Sequence, residues 1–309
     1  MIEAGTGGHL WADKVDGELK EVFELQDRIT ASVVSVIAPK IQQSEIERAR
    51  SKPTDHLDSY DFFLRGIAAY ADRSKWGKPE LRDWFIKACE RDPGYAAAQI
   101  MLAYCNLGKA TALGVPLSAE ERMETIRIAE SACALANDDP FVLCRAAHIF
   151  VYLGRDYDRG EAMIEEAVSL NPNDAAAWGL RGWISLICVQ PARAIESFER
   201  RLQLSPRDPG RTAVWNGISF AHFLLGQYDQ GRTFAAKALA VSADAHTLSA
   251  LIMNDVGAGC LDEARATAAR LLLLRPDFRA SYARQIFTTK SDEWADRYVA
   301  VLREAGLPE

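Results

Sequence analysis

Long apolar runs are missing from this sequence, and so is any excess of positive charge. No segment approaches the roughly 20 apolar residues that a membrane-spanning helix needs, and the N-terminus has no charged–apolar–small pattern of a signal peptide. The formal net charge is −7, which disfavours a nucleic-acid-binding surface because such a surface needs a basic face. These absences predict a cytoplasmic protein that binds neither membrane nor nucleic acid.

Catalytic and metal-binding motifs are missing as well. The six cysteines lie singly, without a CxxC pair, which predicts buried thiols in a reducing compartment. The five histidines do not pair with Cys, Asp or Glu at a metal-ligand spacing. The sequence contains no GxSxG, no HExxH and no phosphate-loop GK[ST] motif. We therefore predict a protein without catalytic residues, metal or cofactor.

A helical repeat pattern is what the sequence does have. Residues 174–206 read as one helix–turn–helix unit with large, small, small, large and helix-ending residues in turn. These are Trp178, Gly182, Ala194, Phe198 and Pro206. The preceding helix-ending proline, Pro172, lies one 34-residue period earlier, which is the tetratricopeptide spacing. Residues 174–206 thus resemble a tetratricopeptide repeat.

Copies of this unit precede and follow it. The predicted units span about residues 59–95, 96–139, 140–173, 174–207, 212–244 and 245–277. Residues 109–118 form an inserted loop, after which Ser118 and Glu121 have the spacing of a capping box. A final helix pair at 278–309 is expected to cap the array. The predicted fold is all-α, a right-handed tetratricopeptide superhelix of about six repeats at 54–277.

The first 53 residues follow a different pattern. A glycine turn, an LWA run, an acidic-Gly turn and F-x-LQD lead into an amphipathic helix, and together they resemble the end of a TolB-like α/β domain. The matching residues are Gly8, Leu10, Trp11, Asp16, Gly17, Phe23, Leu25, Gln26 and Asp27. The resemblance implies that residues 1–53 are a strand and helix remnant of that domain.

The same resemblance implies a biological setting. In proteobacterial proteins a TolB-like domain commonly lies between an output domain and a tetratricopeptide array. The output domain is a class III adenylate or guanylate cyclase, or a winged-helix transcription regulator. We expect this chain to correspond to the C-terminal region of such a protein. No catalytic residue of a cyclase carries over, because no position in this sequence matches one.

The candidate binding site is the concave face, which the first helix of each unit lines. Positions 2, 5, 9 and 12 of the register point into this groove. The predicted lining is Tyr60, Phe63, Ile67, Tyr70, Ile100, Tyr104, His148, Trp183, Asn216, Phe220 and Phe223. It is aromatic rather than basic, which disfavours a clamp for a peptide carboxylate and favours an apolar groove for a helix or an extended segment. Alternatively, these side chains are core, or the chain's own helix at residues 19–37 covers them.

Three functions remain open at this point. The first is a non-catalytic interaction module that binds a protein or peptide partner and is linked to cyclic-nucleotide or transcriptional signalling. The second is the C-terminal fragment of an adenylate cyclase, without activity of its own. The third is a self-associating scaffold, a homodimer that pairs through residues 19–46.

Overall fold

The computed structural model describes residues 41, 43–52, 57–72, 75–113, 115–206, 210–282, 284 and 288–309. The predicted TolB-like segment and the helix at residues 19–37 lie outside the described residues. Throughout the described part of the chain every regular element is helical. The all-α prediction is therefore confirmed for the residues that the structure describes.

Six helix pairs follow one another along the chain, and we name them units one to six. They are α1 Ser59–Tyr70 and α2 Pro79–Arg91, α3 Ala96–Leu113 and α4 Ala119–Leu135, α5 Pro140–Ile149 and α6 Tyr157–Leu170, α7 Ala175–Ile187 and α8 Pro191–Leu204, α9 Arg211–Leu224 and α10 Tyr228–Leu239, and α11 Ala245–Gly257 and α12 Leu261–Leu274. A π-helical turn, Phe150–Gly154, continues α5. A 3₁₀ turn at Ala280–Tyr282 and helix α13, Asp292–Glu304, follow unit six.

Each unit packs mainly on its neighbours. The two helices of a unit pack on each other, and the second helix packs on the first helix of the next unit. From unit two onward, the first helices of adjacent units also touch. This nearest-neighbour stacking is the arrangement predicted for a tetratricopeptide superhelix, and it places the first helices along one inner face.

Local capping sets where the helices begin. Ser118 and Glu121 form the predicted capping box at the start of α4. The backbone N–H of Glu121 donates to Ser118 Oγ at 3.0 Å, and the backbone N–H of Ser118 donates to Glu121 Oε2 at 2.8 Å. Asp58 and Asp61 form a second box at the start of α1. Each box satisfies two backbone donors that a helix end would otherwise leave without partners.

The core is built from large rings set against glycines. Phe198 is fully buried, and a Cβ atom added at Gly182 would lie 2.5 Å from its ring. In unit one, Phe85 stands in the same relation to Gly66, at 2.6 Å. The small and large positions of the repeat therefore form contacting pairs, which let the two helices of a unit approach closely.

Both ends of the array are covered by helical segments. At the N-terminal end, residues 43–51 are helical, and Ile46 and Ala49 pack against Leu64 of α1. At the C-terminal end, α13 packs on α11. Residues 283 and 285–287, within the predicted final helix pair, lie outside the described residues.

Candidate partner groove and C-terminal pocket

The predicted groove residues differ widely in exposure. Only Tyr60 is exposed, at 41%. Partly buried are Ile67, Tyr70, Tyr104 and Trp183. Buried are Phe63, Ile100, His148, Asn216, Phe220 and Phe223. The register therefore selects the inner face, but more than half of the selected side chains have little surface for a partner.

The buried residues have identifiable neighbours. Ile100 of α3 lies in the hydrophobic core that units two to four form together. The side-chain amide of Asn216 donates to Thr247 Oγ1 at 3.0 Å, so it joins unit five to unit six. Phe220 and Phe223 lie beneath α13. These four are packing residues in this structure, which is the alternative that the sequence left open for the predicted groove lining.

A continuous row of rings crosses units one to three, and we call it the aromatic ladder. It consists of Tyr70, Trp76, Tyr104, His148 and Tyr152. The ring centroids of Trp76 and Tyr70 are 4.8 Å apart. From Tyr70 the row continues through Tyr104, His148 and Tyr152, with 5.9 to 6.1 Å between successive ring centroids. Tyr70, Trp76 and Tyr104 keep part of their surface exposed. The ladder brings together three predicted groove residues and adds two.

One hydrogen bond fixes the middle of the ladder. The Tyr104 hydroxyl and His148 Nδ1 are 2.9 Å apart. Burial lowers the pKa of His148 from 6.5 to about 4, and burial also raises the pKa of Tyr104. Both groups are therefore neutral at pH 7, so this pair orients the rings and does not supply an acid–base couple.

Arg145 lies beside the ladder on a second group of rings. Its Cζ is 3.5 Å from the ring centroid of Phe141 and 6.0 Å from that of Tyr104. Phe141 in turn contacts Phe63 at 6.0 Å between centroids. A guanidinium stacked on aromatic faces keeps its charge available to a ligand. This part of the inner face thus combines aromatic rings with the positive charge of Arg145.

Sequence reasoning missed Trp76, Phe141 and Tyr152, and it did not count Arg145 among the groove-lining residues. Phe141 occupies position 2 of unit three, so the register itself could have found it. Trp76 comes from the turn between α1 and α2, which the register does not cover. Among the other arginines on the first helices of the units, Arg65 of α1 donates to the Ala49 carbonyl at 2.9 Å.

The second half of the inner face is covered by the chain's own C-terminal segment. Trp294 of α13 lies 6.3 Å from Phe223, and Tyr298 lies 6.2 Å from Phe220, both between ring centroids. Arg297 donates to the Tyr228 hydroxyl at 2.7 Å. The sequence offered the helix at residues 19–37 as a cover for the groove. Over units five and six the cover is α13.

Residues 288–290 tie this helix to units three and four, and we call them the strap. Thr288 Oγ1 donates to the Tyr152 carbonyl at 3.3 Å, and Thr289 Oγ1 donates to the Ile187 carbonyl at 3.3 Å. The backbone N–H of Lys290 also donates to the Ile187 carbonyl, at 2.8 Å. The strap therefore crosses the inner face where the aromatic ladder ends.

A pocket of about 90 Å³ remains between α13, the strap and the inner face; we call it the C-terminal pocket. Five of its lining residues carry rings or an indole, and none of its lining residues is charged. The lining is Trp183, Leu186, Ile187, Phe220, Phe223, Leu224, Met253, Thr288, Thr289, Trp294, Ala295 and Tyr298. It contains three of the predicted groove residues: Trp183, Phe220 and Phe223.

In the described part of the chain, no three His, Cys, Asp or Glu side chains are grouped so that they could hold a metal ion. None of the described helices combines the length and the apolar character that crossing a membrane would require.

Solved structures share this architecture. A crystal structure of the APC/C hetero-tetramer Cut9–Hcn1 matches 94% of this chain and 49% of that chain, with a TM-score of 0.58 and 16% identity. PilW, a type IV pilus biogenesis factor, matches 68% of this chain and 90% of that chain, with a TM-score of 0.51 and 16% identity. The chain has the tetratricopeptide-repeat fold. At these identities the likeness concerns the fold alone.

Sequence comparison adds one relative. The Rhizobium meliloti (strain 1021) protein named "Putative adenylate cyclase 3" is 34% identical over 103 residues, which are 33% of this chain and 18% of that protein. This tetratricopeptide chain therefore spans less than a fifth of the relative's length and about half of the Cut9–Hcn1 chain that it matches. No protein-family model matches the chain.

Proposed function

We propose that this protein is a non-catalytic interaction module that binds a protein or peptide partner along the inner face of units one to three. The observation that supports this most directly is the partly exposed aromatic ladder. Aromatic and arginine side chains are enriched where proteins bind each other. Tyr70, Trp76 and Tyr104 offer ring surface there, and Arg145 stands next to them.

The shape of this surface favours an extended or helical segment. The ladder crosses three units, so it offers a line of contacts rather than a single cavity, as in the recognition of peptide segments by grooves. Tyr60, which is exposed and packs on the buried ring of Phe63, continues the ring surface in unit one. The guanidinium of Arg145 adds a preference for a partner that places a carboxylate beside the rings of Phe141 and Tyr104.

Partner capture with two substitutions tests this proposal. The tagged chain is cross-linked to its partner in native extract, and recovery is compared with that by Tyr70→Ala and Arg145→Ala variants. We expect each variant to recover at least about tenfold less partner, corresponding to about 1.4 kcal/mol of binding free energy. Leu170→Ala, on an exposed position of α6, is the control and should recover as much as wild type. Equal recovery by all four proteins would exclude the ladder as the binding surface.

We further propose that the module acts in the cytoplasm beside a signalling output domain. The partial relative named as an adenylate cyclase and the TolB-like sequence pattern both support a cyclic-nucleotide or transcriptional setting. Under this proposal the isolated chain makes no cyclic nucleotide. An assay that detected cyclic AMP formation by the purified chain would contradict it.

A second function is favoured by the same relative: the chain is the C-terminal part of an adenylate cyclase. The genomic sequence upstream of the codon for Met1 distinguishes the two. An in-frame cyclase domain there would favour the second function. A stop codon directly upstream would favour a separately encoded module.

A further inference from the structure

The C-terminal pocket has the features of a binding site for a small molecule. Its walls come from four separate elements, α7, α9, α11 and α13, closed at one side by the strap. The side chains at its base, among them Phe220, Phe223 and Met253, are buried. Those at its rim, among them Leu186, Leu224 and Trp294, are partly exposed. A ligand can therefore reach the pocket without unfolding the repeat array.

The chemistry of the lining selects a neutral ligand. Every lining residue is uncharged, and the two threonine hydroxyls already donate to the carbonyls of Tyr152 and Ile187. A charged group placed here would lose its hydration and meet no oppositely charged side chain in the lining, which is costly. Enclosed apolar cavities take up apolar molecules such as benzene, and this pocket has the same uncharged type of lining.

The volume of the pocket and its aromatic lining narrow the class of ligand further. A pocket of about 90 Å³ is smaller than the roughly 150 Å³ cavity that holds benzene in an engineered protein, but this pocket is open at its rim. Trp183, Phe220, Phe223, Trp294 and Tyr298 surround it, and ring pairs favour edge-to-face or offset contacts over stacking in register. One aromatic ring can make such contacts with several walls at once.

We propose that the C-terminal pocket binds a neutral, single-ring aromatic group between α13 and the inner face of units four to six. The group is either a free small molecule or an aromatic side chain. The small side chain of Ala295, between Trp294 and Tyr298 on α13, leaves the room for it. This site is separate from the aromatic ladder, so it does not depend on the proposed partner surface.

Binding of three probes to the full chain tests the proposed chemistry. Toluene is the neutral ring, benzoate is the charged ring of similar size, and N-acetyl-phenylalaninamide is the capped side chain. Calorimetric titration and saturation-transfer NMR should show saturable binding of toluene and at least tenfold weaker binding of benzoate. Binding of the capped phenylalanine as well as toluene would identify a side chain as an acceptable source. Binding of toluene alone would identify a free molecule. Absence of saturable toluene binding, or equal binding of benzoate, would overturn the proposal.

Matched variants locate the site. Ala295→Leu fills the pocket and should weaken toluene binding at least tenfold, whereas Ala300→Leu, on the exposed side of the same helix, should leave it unchanged. Because Ala295→Leu could displace α13, Met253→Phe fills the pocket from α11 instead, and thermal unfolding checks that each variant is folded. Folded Ala295→Leu and Met253→Phe variants that both bind toluene like wild type would overturn the assignment.

The Tyr70→Ala variant separates this proposal from the proposed partner surface. Tyr70 does not line the C-terminal pocket, so this variant should bind toluene like wild type whether or not it recovers the protein partner. Loss of toluene binding in Tyr70→Ala would place the toluene site on the ladder and overturn the assignment to the pocket.

Discussion

At the scale of single residues, Phe198 shows how the repeat is held together. Its ring is fully buried and lies against two glycines, Gly182 of its own unit and Gly217 of the next. A Cβ atom would lie 2.5 Å from the ring at Gly182 and 2.4 Å at Gly217. One ring thus fills the space within a unit and between units, which requires that both helices lack a side chain at the contact.

Replacing one of these glycines tests the contact. We expect Gly182→Ala to lower the free energy of unfolding by about 2 kcal/mol, since a ring wedged on both sides cannot move away from an added methyl group. Gly108→Ala is the control, because its Cβ would meet Trp76 at an ordinary 3.6 Å. There the loss of backbone entropy in the unfolded chain should raise stability by about 0.5 kcal/mol. Urea unfolding of both variants measures the difference, and a stable Gly182→Ala would contradict the wedge.

His148 makes the stability of the ladder depend on pH. Burial lowers its pKa from 6.5 to about 4, so between these values the unfolded chain binds a proton that the folded chain does not. The free energy of unfolding therefore decreases as the pH falls through this window. His148 accounts for about 2 kcal/mol of that decrease between pH 7 and pH 5. The full effect is reached only near pH 4.

Comparison with His148→Gln isolates that contribution. The variant cannot take up the proton, so its loss of stability between pH 7 and pH 5 should be about 2 kcal/mol smaller than that of wild type. Chemical unfolding of both proteins at the two pH values provides the measurement. Parallel losses would show that His148 is accessible to protons in the folded state.

At the scale of elements, the turns between the paired helices of units four to six each contain a left-handed residue. Gly226 and Gly259 occupy it in units five and six, at φ 70° and 79°. In unit four the same place is taken by Val189, at φ 59°. Directly after Val189, the backbone N–H of Gln190 donates to the Ser185 carbonyl at 2.8 Å. In unit five the backbone N–H of Gln227, directly after Gly226, donates to the His222 carbonyl in the same way, at 2.9 Å. A β-branched residue in this conformation is strained.

Exchanging glycine and valine between two turns tests that strain. We expect Val189→Gly to raise the free energy of unfolding by about 1 kcal/mol, because relief of the left-handed strain exceeds the entropy cost of glycine. Gly226→Val should lower it by about 2 kcal/mol. Thermal unfolding monitored by circular dichroism compares the two. A destabilised Val189→Gly would mean that valine makes packing contacts worth more than the strain.

The docking of α13 is a second property of the element scale. Because Trp294 and Phe223 contact each other, a double-mutant cycle with both changed to Ala should give a coupling energy of about 1 kcal/mol. Trp294 and Phe85 lie at opposite ends of the array, so the same cycle on that pair should be additive. Equal coupling for both pairs would show that α13 acts through global stability rather than through its contact with unit five.

At the scale of the whole molecule, nearest-neighbour packing determines how a disturbance spreads. Stability in such an array is close to a sum of unit and interface contributions. A substitution at an end should therefore loosen fewer units than one in the middle. The strap modifies this rule, because it joins residues 136 positions apart, Thr288 and Tyr152.

Amide hydrogen exchange measures, unit by unit, how far the loosening caused by a substitution spreads along the array. We expect Gly66→Ala, in unit one, to raise amide exchange in units one and two and to leave α11 to α13 unchanged. Gly182→Ala, in unit four, should raise exchange on both sides and in α13, because the strap is bonded to Ile187 of that unit. Uniformly raised exchange in the Gly66→Ala variant would show that the array unfolds as one cooperative block.

The sequence alone determined the fold, because its evidence is local and periodic. The 34-residue spacing, the glycine and phenylalanine pair of unit four, and the Ser118–Glu121 box all act within one unit or between adjacent ones. The register also selected Tyr70 and Tyr104, whose side chains are partly exposed. These features depend only on residues within a unit or in adjacent units, so they are the same wherever the unit lies in the array.

Only the tertiary structure decided which part of the inner face is open. The tail after unit six has no period, so its sequence does not say where it docks. The structure returns it across the array, with Thr289 bonded to Ile187 and Trp294 set on Phe223. Rings that share one register position therefore remain partly exposed in unit one, as at Tyr70, and become buried beneath α13 in unit five, as at Phe223. The difference arises because burial by a distant segment depends on how the whole superhelix brings that segment back, which no repeat encodes by itself.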